Sequence, residues 1–156
     1  MELKLLADLR FIFMDRPSKC SGTSLDPEAA ECIRFADWFV PLIISGEYRG
    51  IYMHVTNEFA GAKRYVFGAV LKAMGKIGGA PDYVFLWDGG SGVLEFKRPD
   101  GKGKPSDKQL ALGRICGHSN VNHAFVNTSE EARAKLIEWG ALKGNVVEIP
   151  SLAPVR

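Results

Sequence analysis

The chain has 156 residues, 46% of them hydrophobic and 24% charged, with a net charge of +2. This is the balance of one globular domain with a real core, and no apolar run reaches the length of a membrane span. Three cysteines, an odd number without Cys-x-x-Cys spacing, argue against a disulfide scaffold and a zinc site. His54, His118 and His123 also lack metal-ligand spacing. Glu2 and Asp8 interrupt the N-terminal apolar residues, so no signal peptide is expected and the location expected is cytoplasmic.

Residues Met1 to Met14 mix apolar and charged side chains, as a short helix or an edge strand would. Asp15 to Asp26 is rich in Pro, Ser and Gly and reads as a loop. Asp26 then caps a helix with Pro27 at its first position. Cys32, Phe35, Ala36, Phe39 and Ile43 recur at helical spacing, which carries the helix to about Ile44, with Pro41 expected to kink it or end it early. Glu28 lies one turn before Cys32 on the buried face; an acid there also suits the helix macrodipole.

Arg49 to Val55 is β-rich and reads as a strand. Asn57 is open to two readings, a helix cap or Asx turn, or a contact to a phosphate or base. Glu58 reads as an acid in a first helical turn. Phe59 to Met74 reads as a helix; Lys63, Arg64, Lys72 and Lys76 make this stretch basic. Gly75, Gly78 and Gly79 form the loop that follows.

Two apolar runs, Tyr83 to Trp87 and Val93 to Phe96, flank Asp88-Gly89-Gly90-Ser91-Gly92, a β-hairpin with a glycine-rich loop. Alternation puts Val93, Glu95 and Lys97 on one face and Leu94 and Phe96 on the other. Asp82 opens the partner strand and folds back near Lys97. An acid and a base on an apolar strand must face water or share a polar site, because unpaired buried charge is costly. A solvated surface ion pair is the plain account.

Pro99 to Pro105 is a loop carrying Lys102 and Lys104. Ser106 opens a helix to about Gly117 and forms a capping box with Gln109. Val121 to Asn127 is a strand. Thr128 and Glu131 make another capping box, starting a helix through Trp139. Gly140 to Gly144 turns, and Val146 to Ile149 is a last short strand. Trp38, Trp87 and Trp139 belong to the core. The whole is one α/β domain, with a mixed central sheet flanked by helices.

The order Gly79-Ala80-Pro81-Asp82, Glu95-Phe96-Lys97-Arg98-Pro99-Asp100-Gly101 and Ser106-Asp107-Lys108-Gln109 resembles the VRR-NUC branch of the PD-(D/E)xK nucleases. The likeness implies a restriction-endonuclease-like fold with its motif core at about residues 26–140 and an N-terminal extension over 1–25. It extends to a helix that opens with Glu28, although Cys32 stands where Gln is usual.

The same resemblance implies Mg²⁺ or Mn²⁺ held by Asp82, Glu95 and the backbone carbonyl of Phe96, with Glu28 completing the shell through water or holding a second ion. All-oxygen ligation suits such hard ions, and zinc is not expected. Lys97 would orient and polarise the attacking water or stabilise the pentavalent phosphate, and Gln109 would position the lysine or the scissile phosphate. On the sequence, that role competes with Gln109's place in the capping box. Asn57, Lys63, Arg64, Arg98, Lys102, Lys104, Ser106 and Lys108 would contact nucleic acid. The activity implied is endonucleolytic cleavage of DNA, structure-selective for branched or four-way-junction substrates. Its products would carry 5′-phosphate and 3′-hydroxyl ends, and the protein would act as a homodimer. The alternative is a nucleic-acid-binding module whose metal site is vestigial.

Overall fold

The structure is a computed structural model that describes residues 3–13, 26–55, 71–144 and 149. Its elements are α1 (Leu3–Phe13), α2 (Pro27–Ser45), β1 (Gly50–His54), β2 (Tyr83–Trp87), β3 (Gly90–Phe96), α3 (Asp107–His118), β4 (Asn122–Val126) and α4 (Ser129–Glu138). Among the described residues the strands form one four-stranded sheet in the order β1-β2-β3-β4. β1, β2 and β3 run antiparallel in turn, and β4 joins β3 in parallel. The α/β architecture with a mixed sheet therefore stands. No helix among the described residues is long and apolar enough to cross a membrane.

The register explains the core. Tyr52, Tyr83, Phe85, Leu94, Phe96, Ala124 and Val126 fall on one sheet face, and all are buried. Helix α2 lays Phe35, Phe39 and Ile43 on that face. The Phe35 ring meets Tyr83, Phe85 and Phe96 at centroid distances of 5.3, 6.0 and 5.7 Å. Ala132 and Leu136 of α4 join the same cluster. Helix α1, which settles the choice between helix and strand, packs against α2, and Phe13 stacks on Tyr52. On the opposite face α3 lies against β4, with Gly113 close to the His123 ring. The indole of Trp38 is buried, and those of Trp87 and Trp139 pack against the core.

Several expectations are corrected. Helix α2 runs to Ser45, in line with the spacing that carries it to about Ile44, and does not end early at Pro41. Pro41 is on the exposed side, where water can solvate the carbonyl one turn before it. The hairpin loop is not Asp88 to Gly92. Trp87 pairs with Gly90, which leaves Asp88-Gly89 as the turn. Gly89 supplies the positive φ of 92°. Gly90 and Gly92 belong to β3, and the rings of Trp87 and Trp139 lie where their side chains would stand.

The second capping box is only half formed. Thr128 accepts from Glu131 N at 3.2 Å, but the Glu131 carboxylate turns to Asn127 N at 2.7 Å. The start of the expected helix over 59–74 and the expected strand over 146–149 lie outside the described residues, apart from a buried Ile149.

Candidate active site

Everything in the site hangs on the open end of the β2–β3 hairpin. Tyr83 pairs with Leu94, so the next step sets Asp82 opposite Glu95 rather than Lys97. The Asp82 carboxylate accepts from Phe96 N at 2.8 Å, and its carbonyl accepts from Val55 N at 2.7 Å. Asp82 is thus fixed by β3 on one side and by the end of β1 on the other. Lys97 follows β3 and keeps the ladder going, its N–H donating to Val126 O at 2.7 Å.

Glu95 and Lys97 are not a surface pair. They are 5% and 9% exposed, and Lys97 Nζ donates to Glu95 Oε1 at 2.9 Å. Gln109, from the first turn of α3, closes the group. Its Nε2 donates to the same Glu95 oxygen, and its Oε1 accepts from Lys97 Nζ at 3.2 Å. That Oε1 also accepts from Ser106 N at 2.8 Å, while Ser106 Oγ accepts from Gln109 N at 3.3 Å. The two readings of Gln109 are therefore not exclusive. An amide oxygen has two lone pairs and its nitrogen two protons, enough to complete the capping box and brace the Glu95–Lys97 pair at once.

Glu95 Oε1 is saturated by these donors, whereas Oε2 is buried with no hydrogen-bond partner among the described residues. Burial pushes the Glu95 carboxyl up to about 7; Lys97 opposes the rise and the nearby Asp82 charge adds to it. An orphaned carboxylate oxygen beside a second carboxylate fits a divalent cation, which would satisfy the oxygen and cancel the repulsion.

These side chains line one cleft of about 990 Å³. Helix α2 supplies Glu28 and Cys32 to its wall, held over the sheet by Tyr83, whose hydroxyl donates to Cys32 O at 3.0 Å. Burial, reinforced by Asp82, Glu28 and Glu95, pushes the Cys32 thiol up to about 12, so it stays neutral beside the carboxylates. Among the described residues no three His, Cys, Asp or Glu side chains are grouped to hold a metal ion. Glu28 shares the cleft but does not close such a group with Asp82 and Glu95.

The expected nucleic-acid contacts divide. Ser106 and Arg98 line the cleft. The exposed Arg98 guanidinium is paired with Asp100 at 3.0 Å, and Arg98 O accepts from Asn127 Nδ2. Lys102, Lys104 and Lys108 are exposed but are not part of the cleft lining; the Lys108 side chain lies along Gly78. Asn57, Lys63 and Arg64 lie outside the described residues. His54, Lys76 and Ile77 also line the cleft, and sequence reading did not single out any of them as a site residue. The register signal existed for His54, which ends β1 beside the strand that Asp82 opens.

Compared with family models, with curated proteins and with solved structures, the chain matches none.

Proposed function

We propose that the protein is a metal-dependent DNA endonuclease of the VRR-NUC type, with the restriction-endonuclease-like fold of the PD-(D/E)xK nucleases. The observation that carries this reading is the convergence of Asp82, Glu95, Lys97 and Gln109 in one cleft, with one buried Glu95 oxygen left over. A surface salt bridge has no use for a second carboxylate, a buried lysine and a bracing amide.

Asp82, Glu95 and the Phe96 carbonyl would hold Mg²⁺ or Mn²⁺, with Glu28 reaching it through water. Such an ion supplies charge neutralisation at the phosphoryl oxygens and a bound water of lowered pKa. The chain's own residues do the rest. Gln109 holds the Lys97 ammonium against Glu95, and Lys97 would orient the attacking water or offset charge on the phosphate. Helix α3 and the hairpin carry these groups on regular secondary structure, which suits a preorganised site.

Structure-selective cutting of branched DNA is the mode proposed, since the reading rests on backbone chemistry and no base-reading element enters into it. A homodimer would make the paired cuts that a two-fold junction requires. The second reading, a binding module without catalysis, draws on the Glu95–Lys97 ion pair, which closes the site on itself, and on the lack of a third grouped ligating side chain among the described residues.

End-labelled single-strand, duplex, flap and four-way-junction DNA, incubated with Mg²⁺, Mn²⁺ or EDTA, separates the two readings. Metal-dependent products with 5′-phosphate ends support the nuclease. Tight binding of the same DNAs without any cleavage supports the module.

A further inference from the structure

The cleft that holds the carboxylates is also lined by groups of a different chemistry. His54 ends β1 and pairs with Tyr83, the neighbour of Asp82. Its ring lies 4.9 Å from the Tyr83 ring at an interplanar angle of 57°, and the residue is exposed. The next residue, Val55, donates its N–H to Asp82 O, so the strand that carries His54 also anchors Asp82. Ile77 is 55% exposed and lines the same cleft, as does Lys76. An aromatic ring, an aliphatic side chain and a cation thus sit within one cleft beside the acidic centre.

We propose that His54, Ile77 and Lys76 form a nucleotide subsite, in which an unpaired nucleobase stacks on the imidazole and its phosphate meets Lys76. This rests on the nuclease reading and specifies its substrate class. In a nucleic acid the group next to a phosphate is a sugar and base, so a cleft that holds the phosphate at Asp82 and Glu95 presents the neighbouring base to this wall. A base inside an intact duplex already stacks on its neighbours and is unavailable to a protein ring. The subsite therefore selects single strands, or a nucleotide unpaired beside a branch.

The test measures binding of fluorescein-labelled single-strand and duplex DNA of equal length in Mg²⁺. The full chain carries Lys97→Ala to stop cutting. Adding His54→Ala should weaken single-strand binding about tenfold, as loss of one base–aromatic stack does, and leave duplex binding within about twofold. Adding His54→Phe, which keeps a ring but no nitrogen, should restore the single-strand affinity. Melting curves establish that all three variants fold.

Equal single-strand affinity with and without His54→Ala overturns the subsite. So does an equal loss on both DNAs, or a Phe variant as weak as the Ala variant. If wild type cuts DNA with metal and the His54 variants behave in any of these ways, the subsite falls and the nuclease stands. If the protein binds neither DNA, both fall.

Discussion

Glu95 should make the metal-free protein lose stability as pH rises, and Glu95→Gln should remove that loss. The Glu95 carboxyl is held at about 7 in the fold against an ordinary value of 4.5. Between these values the folded chain keeps a proton that the unfolded chain has released, so stability falls from pH 4.5 to about 7 and stays lower above it. At about 1.4 kcal/mol per pH unit this interval is worth at most about 3 kcal/mol. The cleft is open to water, which brings the expected effect to about 2 kcal/mol. Glu95→Gln also replaces the oxygen that accepts from Lys97 Nζ by an amide, which shifts the absolute stability, while Gln109 Oε1 still accepts from the lysine. The readout is therefore the pH dependence and not the absolute value. Urea unfolding in EDTA from pH 4.5 to 8 should give a wild-type curve that declines relative to Glu95→Gln by that amount. Mg²⁺ or Mn²⁺ should reverse the decline, because a cation favours the ionised carboxylate. Parallel curves in EDTA would refute the assignment of Glu95 as a strained buried acid. A cation effect that is the same at pH 5 and pH 8 would refute its role as a ligand.

Three further outcomes follow from the packing. Ser106→Ala should cost about 1 kcal/mol in chemical denaturation, the worth of an N-cap, while leaving Gln109 on Lys97 and Glu95 and so preserving most activity. Gln109→Ala should cost a similar amount and also lower the cleavage rate. Equal rates in the two variants would contradict the dual role of the amide. Glu31→Ala should destabilise by about 3 kcal/mol, since the buried Glu31 carboxylate accepts from both Ser129 N and Ser129 Oγ at 2.8 Å and ties α2 to α4. A urea midpoint unchanged from wild type would show that the tie is replaceable. Gly92→Ala should cost about 1–3 kcal/mol, because its Cβ would come within 2.8 Å of the Trp139 ring. The melting temperature is the measure, and an unchanged value would mean that Trp139 can move aside.

The periodic parts of the chain were legible because burial follows period. Helix α2 and its cap, the β2–β3 hairpin and the Ser106 cap appear where spacing and capping chemistry put them. What escaped was set by tertiary contact. Nothing local tells that Gly92 lies in a strand, since the ring covering it comes from Trp139, distant in sequence. Local spacing cannot show that Gln109 serves two tasks, because one of its partners comes from the capping turn and the others from β3. His54 looked like an isolated imidazole because its neighbour Asp82 is close only through the β1–β2 register. Glu31 gave no signal either, since Ser129 is distant in sequence and its hydroxyl reaches back only in the fold.

The most direct test of the central claim is the single-turnover cleavage rate of labelled junction and single-strand DNA in Mn²⁺, for wild type and Lys97→Ala side by side. The account predicts cutting by wild type that EDTA abolishes, and a rate at least about a hundredfold lower without the lysine, as expected for loss of a group acting on the reacting water or phosphate. Equal rates for the two proteins would point to a contaminating nuclease. No cutting by either, with DNA still bound, would contradict catalysis and leave the site as a binding surface.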